Sequence, residues 1–298
     1  MKVRFTALAP LVLPLVALAA ACSSASHAPR SSTQSALGAP GLGKAASFAV
    51  LGGSTVTSSG PSTVAGDVGV SPGTAVTGFP PALQTAGSMH AADAVALEAK
   101  NDLGTAYDSL AAEPCTRDLS GTDLGGLTLG SGVYCFTSSA QLTGTLTLDA
   151  KGKSDAVFVF KTVSKLTTAS SASVVLINGG SGCRVFWQVG SSATIATGSS
   201  FVGSILALTS IALESGASLD GRALARNGAV TLDDNRIALA TCTPSDAGVD
   251  AGASDAGPAD SGRTDAGPPA ADAGPEADAA AETDTAAPPC DDTEGYCY

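Results

Sequence analysis

Apolar and polar residues alternate in short runs along most of the chain, and over one stretch the alternation acquires a fixed period. From Cys183 to Arg236 the sequence divides, without gaps, into CRVFWQVGSSATIATGSS, FVGSILALTSIALESGAS and LDGRALARNGAVTLDDNR, three blocks of equal length. Trp187, Ile205 and Ala223 share a column, as do Val189, Ala207 and Ala225, and Ser192, Ser210 and Gly228. Gly198, Gly216 and Asp234 fall where a turn belongs. Alternation of period two marks half-buried strands. A repeat of this size marks coils that bury each other's apolar faces. Each block is therefore read as one coil of a β-solenoid, with a β-sandwich of evenly long strands as the alternative. If Ile211 and Leu213 point inward, then Ser210, Ala212 and Glu214 point outward. The corresponding outward sets are Ser192, Thr194 and Ala196, and Ala229, Thr231 and Asp233.

Upstream, residues 45–57 read as a strand pair broken at Gly52-Gly53, and residues 64–77 as short strands punctuated at Gly66-Asp67 and Ser71-Pro72-Gly73. Pro80-Pro81 closes that section. Between about residues 88 and 112, Ala92, Val95, Ala99, Leu103, Ala106 and Leu110 recur at three- and four-residue steps. That is the stripe of an amphipathic helix, stopped by Pro114. In a strand-rich chain such a helix should lie along the solenoid and cover one face. Residues 115–135, 142–148, 157–160 and 174–177 are further strand regions.

Composition suits this reading. Only 4% of residues are aromatic and 14% charged, with 35 glycines, as a narrow core of small and β-branched side chains requires. The net charge of −12 belongs to the tail: beyond Pro244 there are thirteen acidic residues and one base, and the remainder is neutral. A neutral folded part with no basic stripe argues against nucleic acid as a partner. In the tail, Asp-Ala-Gly recurs at Asp246, Asp250, Asp255, Asp265 and Asp272. Residues 243–289 lack the aliphatics to offset chain entropy and are expected to be a disordered, solvating spacer. The EF-hand spacing of a calcium loop is missing.

Lys2 and Arg4 precede an apolar run at about residues 7–21, interrupted by Pro10 and Pro14 and too short for a membrane span. Residues 1–21 read as a secretory signal peptide. Ala19-Ala20-Ala21-Cys22 resembles a bacterial lipobox, with Ala19 where Leu is usual. Cys22 is then the lipidated first residue, residues 22–41 a flexible tether, and Ser23 resembles outer-membrane sorting. The chain is expected to be exported, as an outer-membrane or cell-surface lipoprotein. The alternative is cleavage after Ala21, which leaves a free thiol and a secreted protein. Seven cysteines in an exported chain suit one lipidated residue and three disulfides. Cys115–Cys135 and Cys290–Cys297 follow from proximity, which leaves Cys183–Cys242 among the pairings that six cysteines allow. The second pair would close a small loop at residues 290–298. Cys-x-x-Cys spacing is absent, and the two histidines, His27 in the tether and His90 near the helix start, have no partners at ligand spacing, so no metal or cofactor is expected. No catalytic constellation emerges, and the chain reads as a non-enzyme. A carbohydrate-active solenoid would need a groove with paired carboxylates, and Trp187 is expected to point into the core.

Six blocks in order carry a resemblance: LGKAASFAVLGGSTVT, GDVGVSPGTAVTGFPP, HAADAVALEAKNDLGTAY, LGGLTLGSGVYCF, FWQVGSSATIATGSSFVGSILALTSI and GRALARNGAVTLDDNRI. Together they resemble the microbial ice-binding protein family over residues 42–242. The resemblance implies an irregular right-handed β-solenoid of triangular section with one long α-helix alongside, in which coils do not stack strictly in sequence order. It implies a monomeric domain whose partner is ice or ordered water, met through one flat face made of an N-terminal strand and outward positions of the C-terminal coils. On this chain that face comprises Thr55, Thr57, Thr74, Thr77, Ser192, Thr194, Ser210, Ala212, Ala229 and Thr231. Thr74-Ala75-Val76-Thr77 matches the family's Thr-Ala/Gly-x-Thr/Asn pattern, and Glu214 and Asp233 stand at one margin. The expected function is an antifreeze-type surface protein that inhibits ice recrystallisation or attaches the cell to ice. The alternative is an adhesion or structural module without ice affinity, in which Thr and Ser merely suit an exposed strand face.

Overall fold

The computed structural model describes residues 38–240. The signal segment 1–21, Cys22 and most of the tether, the tail 243–289, the loop 290–298, and Cys242, Cys290 and Cys297 lie outside the described residues.

The strands pair in parallel and wind through three faces per coil, which gives a solenoid of triangular section. A seven-stranded sheet forms one face, and a fifteen-stranded sheet bends to form the other two. The long strands Ser200–Ala207 and Ser218–Ala225 turn that corner at Gly203 and Gly221. The columns read from the sequence are true ladder partners. Trp187 pairs with Ile205 and Ile205 with Ala223, and Val189, Ala207 and Ala225 align likewise. Gly198, Gly216 and Asp234 all take left-handed conformations, with φ of 67°, 71° and 53°. The same turn therefore repeats in each coil, twice with glycine and once with the Asp side chain that tolerates it.

One column is corrected. Ile211 pairs with Val230, so Ala229 and not Gly228 stands opposite Ser210. The extra residue bulges because Gly228 O accepts from Gly53 N (2.8 Å) and Ser54 N (3.1 Å), the entry of the N-terminal coil. A Cβ on Gly228 would run into Ser210 Oγ. The register recovers at the Asp234 turn, where Ser218 pairs with Arg236.

Stacking does not follow chain order. The N-terminal coil docks on the C-terminal one through Val50–Ala223, Val56–Val230 and Val64–Ile237. The strands Asp67–Val70, Ala75–Thr77 and Leu83–Ala86 stack beyond it. Leu83–Ala86 and Met89–Ala91 continue past Pro80-Pro81, where the sequence pattern had ended the section. As end rungs they are largely exposed and carry little alternation.

The helix runs Ala94–Ala112 and starts later than its stripe implied. Met89–Ala91 is used as a strand paired to Val68–Val70, Ala92 has φ 53°, and Asp93 caps the helix by accepting from Ala96 N at 2.8 Å. Ala96 is buried while Val95 is 42% exposed, so Ala92 and Val95 drop out of the buried stripe. Leu103, Ala106 and Leu110 pack on Leu51, Val133, Val159, Phe186, Leu206 and Leu224, the outward residues of one solenoid face. Nineteen residues of helix span about 28 Å, or about six rungs of the stack. Lys161 Nζ donates to Ala111 O and Glu113 O at the helix C-terminus. Lys100 Nζ donates to Ala225 O and Arg226 O. Burial, helped by Arg226, pulls the Lys100 pKa down to about 8.

Inside the triangle, Tyr134, Phe160 and Trp187 stack one per coil, with ring centroids 5.3 and 4.1 Å apart. Trp187 points inward, and its indole N–H donates to Val202 O at 3.0 Å. Stacked aromatics bring both apolar area and a fixed spacing to the core. Cys115–Cys135 is a disulfide, as its proximity suggested. Cys183 is also disulfide-bonded; the expected partner, Cys242, lies outside the described residues.

Candidate functional site

The seven-stranded sheet is the face on which the sequence-derived residues converge. Its strands stack in the order Ala140–Leu142, Leu166–Thr168, Ala193–Ile195, Ile211–Leu213, Val230–Leu232, Thr55–Ser58 and Ala75–Thr77. In the inner strands the flanking residues point in: Leu166, Ala193, Ile195, Ile211, Leu213, Val230, Leu232 and Val56 are all buried. The middle residue therefore points out. Register carries these middle residues into one column: Gln141, Thr167, Thr194, Ala212, Thr231, Thr57 and Thr77. Five of the seven are threonine. With rungs about 4.8 Å apart, the column extends about 29 Å. Thr77 Oγ1 donates to Thr57 Oγ1 at 3.2 Å, so adjacent rungs are coupled on the outer surface.

Extending the register by two residues gives the flanking columns, about 6.7 Å away along each strand. One side reads Lys165, Ser192, Ser210, Ala229, Thr55 and Ala75. The other reads Thr143, Ala169, Ala196, Glu214, Asp233 and Ser59. The central column is free of charge, and the charges stand at its margins. Glu214 is drawn sideways, its Oε2 accepting from Thr197 N (3.3 Å) and Oγ1 (3.4 Å). At the upper end Asp123 bridges to Gln141. Its carboxylate folds onto Gly125 N, Thr143 N and Thr143 Oγ1. Partial desolvation pushes its pKa up, and those hydrogen bonds outweigh it and leave the pKa low.

The backing of the face is tied down. Asn235, 3% exposed, donates from Nδ2 to Glu214 O (2.8 Å) and Ala217 O (3.1 Å), and its Oδ1 accepts from Asp233 N (2.7 Å). Its own N–H donates to Ser62 Oγ, which also accepts from Ser58 Oγ. The network joins the C-terminal coil to the N-terminal one at the seam between the fifth and sixth strands of the sheet.

Thr55, Thr57, Thr77, Ser192, Thr194, Ser210, Ala212, Ala229 and Thr231 thus lie on one surface. Thr74 does not belong to the grid. Thr55 pairs with Ala75, which puts Ala75 in the outward column and leaves Thr74 on the opposite parity, exposed only because it precedes the strand. Sequence reasoning missed Thr167 and Gln141. Twenty-seven residues separate Leu166 from Ala193, so the eighteen-residue arithmetic could not reach that rung. The local signal was weak as well, since Leu166-Thr167-Thr168 puts a threonine, Thr168, at the buried third position where the later rungs carry Ile195, Leu213 and Leu232.

Elsewhere, His90 pairs with Asp93 (2.7 Å) and lies against Phe48. Among the described residues no group of three His, Cys, Asp or Glu could hold a metal ion. Two open depressions of about 380 Å³ flank the helix edge and the third face. Each holds one carboxylate, Asp108 or Asp220, so neither offers the carboxylate pair that glycoside chemistry needs.

A family model described as Ice-binding-like matches residues 50–238. The chain is 55% identical over 203 residues to an ice-binding protein of Nostoc sp. (strain HG1), covering 68% of this chain and 75% of that protein. It is 34% identical to ice-binding protein 1 of Shewanella frigidimarina (strain NCIMB 400), covering 68% of this chain and only 26% of that longer protein. Among solved structures, the ice-binding protein of the Antarctic ascomycete Antarctomyces psychrotrophicus superposes with a TM-score of 0.66 at 40% identity, covering 68% of this chain and all of that one. An ice-binding protein from an Antarctic biological consortium gives 0.67 at 44% identity, covering 70% and 95%.

Proposed function

The chain belongs to the ice-binding-like family, and on that premise we propose that it adsorbs to ice through the threonine-bearing face of its seven-stranded sheet. The observation that carries this reading is the outward column, seven rungs long, uncharged, and threonine at five positions. Ice presents a regular lattice of oxygens. A surface that matches it must be repetitive and rigid, with methyl and hydroxyl groups that hold water in an ice-like order. Parallel strands fix one spacing and the strand pleat the other. Threonine rotamers are stiff, so docking freezes out little side-chain freedom. Charged groups hold water in other orientations, which makes their confinement to the margins part of the support.

The test is ice recrystallisation inhibition by the purified full chain beside Thr57→Tyr and Thr231→Tyr. Each tyrosine would stand proud of the grid and hold ice away. Inhibition by the wild type at micromolar protein, with loss in both folded variants, is the expected result. A folded wild type without inhibition would leave the solenoid as a scaffold of another purpose.

The wider setting is part of the same proposal. Lipidation of Cys22 would anchor the domain at the cell surface, residues 22–41 would hold it off the membrane, and the acidic residues 243–289 would act as a solvating spacer. The ice-facing unit would then be a monomer held at the cell boundary. Metabolic labelling with a fatty acid, compared between wild type and Cys22→Ser, tests the anchor; equal labelling would dismiss it in favour of secretion.

A further inference from the structure

The face is not uniform, and the interruption falls at one rung. Below it lie the strands Val230–Leu232, Thr55–Ser58 and Ala75–Thr77, which present Thr231, Thr57 and Thr77 in the central column and Ala229, Thr55 and Ala75 beside them. These six positions are uncharged, small or β-branched, Asp233 stands only at the outer margin beside Thr231, and Thr77 and Thr57 are hydrogen-bonded to each other. Above it lie Thr167 and Thr194, with Gln141 at the top, a long exposed amide in place of a threonine, and Lys165 beside Thr167. Between the halves stands the strand Ile211–Leu213. It offers Ala212, with no γ-atoms, where both neighbours carry threonine, and its margin bears Glu214.

From these placements we infer that ice is engaged chiefly by the lower threonine lattice, assembled across the chain seam, and that Ala212 marks its boundary and limits its size. The inference rests on the proposed ice-binding reading. Ordered water must continue from rung to rung to fit a lattice plane. At Ala212 a missing methyl and hydroxyl leave about two rung spacings, roughly 9.6 Å, between Thr194 and Thr231. The backbone there is in register with both neighbours, and Ala212 is partly exposed, so a threonine would take the same stiff rotamer without repacking. The upper half then acts as a separate, weaker patch, and joining the two enlarges the continuous surface.

The experiment compares the full wild-type chain with Thr57→Tyr, Thr167→Tyr and Ala212→Thr, each first checked for an unchanged melting curve. The readout is the lowest concentration that inhibits recrystallisation. Thr57→Tyr is expected to raise it by about tenfold or more, as for a residue at the centre of a contact, and Thr167→Tyr by less than about threefold. Ala212→Thr is expected to lower it by about threefold, a gain that a merely structural role would not produce. Equal losses in the two tyrosine variants would overturn the division, and no gain in Ala212→Thr would overturn the boundary. A silent wild type would instead sink the ice-binding reading itself, so the two failures are distinguishable.

Discussion

Two faces of the same triangular stack share one inner architecture and differ only in what points outward. Under the helix the outward residues are Val133, Val159, Phe186, Leu206, Leu224 and Leu51, all buried. On the seven-stranded sheet they are Thr, Ser and Ala at most rungs, and all but Ala196 are at least partly exposed. Parallel strands with both sides apolar must be covered, and the helix supplies the cover. The other face needs no cover because its outward groups are content with water. The backbone therefore sets the spacing on both faces, while side-chain chemistry decides whether a face is completed by protein or left for an ordered solvent.

A charge placed on each face would separate these roles most sharply. Leu206→Asp puts a carboxylate among Phe186, Leu224 and Leu103 with no partner. The expected cost is about 4 kcal/mol or more, a large part of a domain's stability. Thr231→Asp should change stability by no more than about 0.5 kcal/mol, since the site is a surface one. Ice recrystallisation inhibition should reverse the order at temperatures where both are folded: Thr231→Asp inactive, Leu206→Asp active. Denaturant titrations and recrystallisation assays on both variants check the pair. Equal destabilisation would mean that the bare face also contributes to packing.

The seam offers a smaller test, behind the bare face and not on it. Asn235→Ala strips partners from Glu214 O, Ala217 O and Asp233 N in a buried corner. A loss of about 2 kcal/mol is expected from polar groups left without partners. The Asn235 side chain also fixes the backbone whose own N–H, kept in alanine, donates to Ser62 Oγ, so its loss should loosen that docking and expose residues 48–65 to amide exchange before the rest of the solenoid. Uniform acceleration across the whole domain would argue that the seam has no separate weakness.

What the sequence made legible follows the same division. The eighteen-residue register was readable where corners carry no insertions, because Gly198, Gly216 and Asp234 force the same turn in each coil and lock the column of Trp187, Ile205 and Ala223. It was unreadable earlier, where turns at residues 150–157 and 178–184 lengthen the coils without disturbing their strands, and Thr167 was lost for that reason. Pairing of Val56 with Val230 has no local signature at all, since the two are brought together only by the helix returning the chain to the far end. The helix itself was legible from its apolar spacing. Its start was not, since Met89–Ala91 serves as an end rung and Asp93 sets the cap. For the outward face, parity in the repeat was enough to place Thr194, Ala212 and Thr231 together; Thr57 came only with the family resemblance, and only strand pairing could remove Thr74 and add Gln141.

The smallest expected effect lies in the covered face and is driven by pH. Lys100 reaches under the helix edge to Ala225 O and Arg226 O, and burial first, then Arg226, lowers its folded pKa from 10.5 to about 8. In the unfolded chain the amine keeps its ordinary value. Below about pH 8 both states hold the proton, and folding bears the full cost of burying the charge. Between the two values the unfolded state binds more protons, so stability should rise with pH across that window and level off above it. Buried Tyr107 and Tyr134, whose pKa values are raised by burial, act oppositely near the top of the range, where the unfolded chain ionises first. The informative quantity is therefore the difference between wild type and Lys100→Met in urea midpoint at pH 7 and pH 9.5. The wild type should gain relative to the variant over that interval. A constant difference would mean that the two carbonyl acceptors hold Lys100 charged throughout, and that the helix edge is as indifferent to protons as the threonine column.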